Sequence, residues 1–270
     1  MLGKLEKIGV VVFVIFIGLA VISVALPVVD KMYHPLTGTD PEIIGYSKPS
    51  SHHILGTDFM GRDLFSQLCS GAYWALVLGV MRAAVGIVVL VVAASVMASI
   101  REETPQLKDT MLVRYTRFVA VPFGVIGIVL ALSLLLGSVL GRLAWTSGIL
   151  LFGPLMGFIG WLAVGHDLEV KFRKGEKIPG KLLLSGAALI ISYVTIETAV
   201  LTFIGSGDPT TVTWGMMIEW CFLSGYTFRA MHWLLPPIIC IYVFSRGMLA
   251  LSYGLYNAVS EKYFFKENWF

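Results

Sequence analysis

Long apolar runs separated by short polar stretches dominate this chain, and run length, more than periodicity, predicts its elements. A helix crossing the hydrocarbon core of a bilayer needs roughly 20 apolar residues. Six runs meet that length, at about Ile8 to Val29, Tyr73 to Ile100, Phe118 to Leu136, Trp145 to Val164, Leu182 to Ile204 and Trp233 to Leu255. Prolines refine them: Pro27 suits the exit of the first, Gly153-Pro154 bends the fourth, and Pro236-Pro237 lies near the start of the sixth. The chain divides into a first transmembrane helix (1–29), a polar segment (30–72) that no span can occupy, and a core of five further spans (73–270).

Composition agrees. Hydrophobic residues make up 57% of 270 positions and charged residues 14%, with a mean hydropathy of +0.81. A soluble domain of that makeup would expose more apolar surface than its core could hide. Backbone inside lipid must satisfy its own hydrogen bonds, which leaves helices or closed barrels. Barrel strands would read as alternating segments of about 10 residues, and none is present. The predicted fold class is therefore an all-α integral membrane protein with six transmembrane helices. The first run is too long for a signal peptide and lacks a small-residue cleavage site, so it reads as a signal-anchor.

The net charge of +3 matters by location. With the Lys4 and Lys7 head inside, fourteen of the twenty basic residues fall on inner segments, and only Lys31, Lys48, Arg62, Arg82, Arg142 and Arg229 go outside. The positive-inside rule then makes both termini cytoplasmic and the 30–72 segment extracytoplasmic. Arg82 and Arg246 lie near the membrane, where snorkelling is the default account. Cys69, Cys221 and Cys240 have no metal spacing, although Cys69 and Cys221 share a side.

One stretch stands out from the apolar filler, His53 to Gly79, HILGTDFMGRDLFSQLCSGAYWALVLG. At helical spacing, Phe59 to Ser70 places Arg62, Asp63, Ser66, Gln67 and Ser70 on one face and Met60, Leu64, Phe65 and Leu68 on the other. This predicts an interfacial helix, capped by Thr57 or Asp58 and entered sharply at Gly56. The alternative is a surface helix that only packs against its neighbours.

These residues carry a resemblance. His53, Leu55-Gly56-Thr57-Asp58, Gly61-Arg62-Asp63, Ser66, Gly71-Ala72 and Gly79 resemble the signature preceding the second span in the C-type permease subunit of dipeptide and oligopeptide ABC importers, from which Ile54 and Gln67 depart. A second region, ETAVLTFIGSGDPTTVTWG from Glu197 to Gly215, is similar to that family's outward turn after the fifth span, with Glu197, Leu201, Phe203, Gly205, Gly207, Pro209, Trp214 and Gly215 on matching positions. Trp233 with Pro236 fits the start of its last span, and Val121-Pro122-Phe123 fits its third. The resemblance implies a type I importer permease bundle in a prokaryotic inner or plasma membrane. It implies a second homologous permease, two ATPase subunits or domains, an extracytoplasmic solute-binding protein and membrane lipids as partners, with no nucleic acid. Gly56, Asp58, Gly61, Arg62, Asp63, Ser66, Gly205, Trp214 and Gly215 would form an outer gate or vestibule, with Trp214 anchoring near the interface.

The likeness has one gap. Family members couple to their ATPases through an E-A-A loop between the fourth and fifth spans, and here LAVGHDLEVKFRKGEKIPGK, Leu162 to Lys181, lacks that motif. Gly165, His166, Asp167, Leu168 and Phe172 are the candidate coupling loop, against the alternative of a basic connector that binds lipid headgroups. Glu197 is the acidic residue placed inside a span, where an unpaired carboxylate costs a few kcal/mol, so it should face the bundle interior, water or a hydrogen-bond partner such as Thr195, Thr198 or another subunit. Its expected role is a structural hydrogen bond near the outer gate, or else transport.

Several chemistries are missing from the sequence. No G-x-x-x-x-G-K-S/T run cradles ATP, and no H-E-x-x-H or cysteine set holds a metal, so ATP and Mg are expected on partner subunits and this chain is expected to be non-catalytic and cofactor-free. Di- and oligopeptides are the expected cargo, with oligosaccharides or nickel as alternatives. A non-transporting scaffold subunit and a secondary transporter are the rivals from other classes.

Overall fold

The structure, a computed structural model, describes residues 2–43, 45–103, 157, 160 and 164–259. The five helices that organise it are α1 (Leu2–Val29), α2 (Leu64–Glu103), α3 (Gly180–Phe203), α4 (Trp214–Leu223) and α5 (Met231–Asn257). Residues 164–173 are also helical, and a single 3₁₀ turn, Lys31–Tyr33, follows α1. Among the described residues there are no β-strands, only isolated bridges pairing Thr57 with Ser47 and with Asp63. Four of the helices, α1, α2, α3 and α5, are long and apolar enough to cross a membrane.

Those four match the first, second, fifth and sixth predicted spans. The expected third span, with Val121-Pro122-Phe123, lies outside the described residues, as does the fourth apart from residues 157, 160 and 164. Pro27 sits in the last turn of α1, and Pro236 and Pro237 fall early in α5. The second span departs from expectation at its start, because α2 begins at Leu64, nine residues before Tyr73.

Helix α1 packs on α2 and α5, and α3 packs on the same two helices from the other side. Along α1 and α5 the pairing is antiparallel: Gly254 meets Glu6, Gly9 meets Leu251, and Gly247 meets Val12. Glycines at these contacts let the backbones approach, which is how helices pack where lipid supplies no hydrophobic drive. The start of α1 and the end of α5 therefore share one end of the bundle. Hydroxyl bonds lace α3 to α5, with Ser185 Oγ donating to the Ser252 carbonyl at 2.9 Å and Ser192 Oγ to that of Ser245 at 2.8 Å. Each such bond contributes about 0.6 kcal/mol in a membrane.

A core of Phe16, Trp214, Met217, Trp233 and Phe244 fills the bundle toward the end where α1 stops and α2 begins. Phe16 sits edge-on to Trp214, with ring centres 5.5 Å apart, and against Phe244 at 4.8 Å. A separate cluster of Leu90, Ala94, Val164, Leu168, Leu182 and Tyr256 closes the opposite end.

Candidate functional site

The segment between α1 and α2 folds into a knot held by buried charges. Asp58, fully buried, accepts four hydrogen bonds: the Met60 and Arg62 amides at 2.8 and 3.0 Å on Oδ1, and Arg62 Nε and Gln67 Nε2 at 2.6 and 2.7 Å on Oδ2. The Arg62 guanidinium lies 4.2 Å over the Trp220 ring of α4. A buried carboxylate and cation are tolerated when other hydrogen bonds support them, and here both Asp58 oxygens are bonded while Arg62 Nη1 also reaches the Leu36 carbonyl at 3.5 Å. Thr57 Oγ1 donates to the Gly45 carbonyl at 3.0 Å and accepts from Ser47 N at 2.9 Å, closing the loop on itself.

Two glycines make the turns. Gly56 and Gly61 hold φ of +81° and +78°, in the left-handed region, and at Gly56 a side chain would also strike the Ser47 carbonyl. The sharp entry expected at Gly56 is present.

The interfacial helix expected over Phe59 to Ser70 is not. Residues up to Asp63 are loop, and α2 starts at Leu64. The residues assigned to a polar face, Arg62, Asp63, Ser66, Gln67 and Ser70, are all buried, whereas Met60 is 55% exposed. Helical periodicity arises there because polar side chains turn inward to satisfy one another, not because they face water. Thr57 and Asp58 do not cap the helix. Asp63 does, its Oδ2 accepting from Ser66 N at 2.7 Å.

Asp63 also faces His53, whose fully buried ring bridges two carboxylates: Nδ1 is 2.9 Å from Asp63 Oδ1 and Nε2 is 3.1 Å from Asp40 Oδ2. The Glu42 amide, and then the His53 ring, hold the Asp40 carboxyl below the usual carboxylate range. Burial, followed by the Asp63 charge, pushes the Tyr33 phenol up. His34, another outer histidine, spends Nδ1 on the Leu36 and Thr37 amides. Cys69 and Cys221 are free thiols.

The second motif joins the first through α4, a helix that apolar run length did not reveal. Its signal was Thr213, the N-cap, whose Oγ1 accepts from Met216 N at 3.3 Å. Trp214, expected at an interface, is instead 3% exposed in the core, its indole donating to the Leu68 carbonyl at 3.0 Å. Its ring occupies the space a side chain at Gly71 would need, and Gly215 lies flush against Thr202 and the Ala199 carbonyl. Ser70 Oγ donates to the Val212 carbonyl at 3.1 Å, a further tie between the two motifs. Gly205, by contrast, is exposed on the turn after α3 with φ +81°. A small cavity beside Trp214 is lined by Gly71, Ala75, Thr195, Thr198, Ala199 and Gly215.

Glu197 has a partner within the chain. The Arg82 guanidinium of α2 forms an ion pair with its carboxylate and donates to Thr198 Oγ1 at 3.1 Å. Arg82, 7% exposed, does not snorkel, because an acidic group waits at its own depth on α3. Thr195 Oγ1 is turned back to the Ile191 carbonyl at 2.8 Å. Arg246 is exposed.

At the other end, the candidate coupling residues lie on helix 164–173 and not on a loop. Gly165 and Leu168 are buried, while His166, Asp167 and Phe172 are half-buried. What stands exposed is the basic turn Arg173 to Lys177, where Lys171 reaches Glu176 at 3.2 Å.

Compared with known proteins, the chain matches no family model. It aligns with the oligopeptide transport system permease protein OppC of Bacillus subtilis (strain 168), at 24% identity over 287 residues that cover 96% of this chain and 86% of that protein. The chain is similar to a permease subunit. The resemblance first read from two motifs thus extends over nearly the whole length, and the four apolar helices make this a multi-pass membrane protein. In this permease-like chain the two motifs do one structural job, fastening the 30–63 segment, the start of α2 and α4 into a single unit.

Proposed function

We propose that this chain is the non-catalytic transmembrane permease subunit of an ABC importer, working in a prokaryotic inner or plasma membrane. With a homologous permease it forms a pathway for ATP-driven uptake of di- and oligopeptides delivered by a solute-binding protein. The observation behind this is the alignment with OppC along 96% of the chain, in a molecule whose motif residues build one buried knot. ATP and Mg bind partner ATPases.

In this reading the knot end faces outside. Gly56, Asp58, Gly61, Arg62, Asp63 and Ser66 shape the vestibule from behind by fixing the backbone, the two glycines through their turns and the other four through buried hydrogen bonds. Gly205 lies on its exposed rim, and Trp214 and Gly215 lock α4 beneath it. Both termini and the 164–179 region face the cytoplasm, where the ATPases dock and the basic turn Arg173 to Lys177 meets them or the lipid headgroups. ATP binding closes the ATPase pair, and the helices rock about the pathway in alternating access.

Purification from detergent followed by proteoliposome uptake tests this. Co-purification with a second permease and Walker-motif ATPases, and ATP-dependent uptake of a labelled peptide pool, are the expected outcomes. A chain that purifies alone and moves peptide without ATP would overturn the proposal.

A further inference from the structure

The His53 bridge has a proton count that its neighbours cannot satisfy with a neutral ring. Nδ1 and Nε2 both point at carboxylate oxygens, at 2.9 and 3.1 Å. An ionised carboxylate only accepts hydrogen bonds, and a neutral imidazole carries one N–H. Among the described residues, no lysine or arginine pairs with Asp40 or Asp63, since Arg62 is committed to Asp58. Tyr33, with its ring centre 6.1 Å from that of His53, donates its hydroxyl to the His52 carbonyl. Asp30 is occupied in accepting from Met32 N.

We propose that His53 is a proton-binding site: it holds a proton on each ring nitrogen, and the second proton clasps the 40–43 turn to the start of α2. A metal ion does not fit in its place. Ligand bonds of about 2.0–2.2 Å on each side would set nitrogen and oxygen farther apart than the two ring contacts are.

The clasp has a defined weak arm. When the second proton leaves, a buried lone pair faces a carboxylate oxygen, and one contact turns repulsive. Asp63 stays, because its other oxygen caps α2 at Ser66 and it is 2% exposed. Asp40, whose side chain is 13% exposed, is the arm that releases, and the Asp40 amide bond to the Gly61 carbonyl at 3.1 Å loosens with it. Asp40 protonation sets the acid limit, below the usual carboxylate range, because its folded form favours the charged state. The clasp is closed while both ring nitrogens carry a proton and opens at the Asp40 arm when the second proton leaves. Transported cargo plays no part in this, so failure of the importer reading leaves it standing.

The test uses the full chain in lipid nanodiscs with ¹⁵N-labelled histidine. The His53 signals are assigned among five histidines by comparison with His53→Gln. Between about pH 5 and about pH 9, both ring nitrogens should read as protonated at the acid end and one should lose its proton at the alkaline end. Amide protection of residues 34–56, corrected for intrinsic exchange, should fall about tenfold or more over the same rise. Asp40→Asn, whose amide serves as acceptor or donor, should flatten that fall. One protonated nitrogen throughout, or an unchanged pH profile in Asp40→Asn, would overturn the proposal. If the variant does not fold, the nitrogen signals of the native chain decide alone.

Discussion

Where α2 begins, Asp58, Arg62, His53 and Asp63 are buried and answer one another; where α3 begins, Arg173, Lys174, Glu176 and Lys177 stand in the open. Polar residues with strict spacing build the first end, and polar residues with only net charge mark the second. A buried charge tolerates few partners and fewer geometries, so its sequence is tightly constrained. An exposed lysine at the second end is bound by no such geometry, and pairs such as Lys171 with Glu176 add little stability. A recognisable motif is thus evidence of fold before it is evidence of solute contact.

The sharpest way to break this contrast is Asp58→Ala. It strands the Arg62 cation, Gln67 and two amides in a dry site, and should cost about 3–5 kcal/mol, read as lost monodisperse protein or a collapsed melting midpoint in detergent. Next comes the pair across α2 and α3. Glu197→Leu alone should destabilise by about 3 kcal/mol, and adding Arg82→Leu should recover most of that, because replacing both charges removes the desolvation cost. A double variant no more stable than the single one would refute a mainly structural pair.

Gly71→Ala should cost about 1–3 kcal/mol by driving Trp214 from its place, visible as a change in tryptophan emission together with a lowered melting midpoint. Acid should loosen the knot end selectively. The folded Asp40 carboxyl sits below its usual range, so its contribution is present above the unfolded pKa and is lost as pH falls through the depressed one, measurable as proteolysis within 34–56. Smallest of all, Lys174→Ala with Lys177→Ala should shift stability by less than about 0.5 kcal/mol. If the basic turn meets an ATPase, the same pair should lower stimulated ATP hydrolysis in the reconstituted assembly.

How much of this was legible in the sequence differs by element. Helices α1, α3 and α5 were visible within two residues at most boundaries, apart from the six-residue earlier start of α1, because in lipid the length of an apolar run and the length of a helix are nearly the same quantity. The first turns of α2 were not, because Leu64 to Ser70 mixes polar and apolar residues that are both buried. The polar motif residues Arg62, Asp63, Ser66, Gln67 and Ser70 share a side as their spacing says, but that side is buried and not wet. Periodicity reports that one side of a segment is polar, and it cannot say whether water or Asp58 lies on that side. Pairing across long separations was equally hidden: Arg82 and Glu197, or Trp214 and Leu68, meet only once the helices pack. Thr213 is a capping signal that apolar run length does not register.

The antiparallel pairing of α1 with α5 also sets an order of assembly. Of the described helices α1 is made first, and the helix that covers Val12 and Phe16 is made last. At about 5–20 residues per second, the interval is on the order of ten to fifty seconds. Through that time α1 has α2 to pack against but not α5, and its Gly9 face stays unfilled.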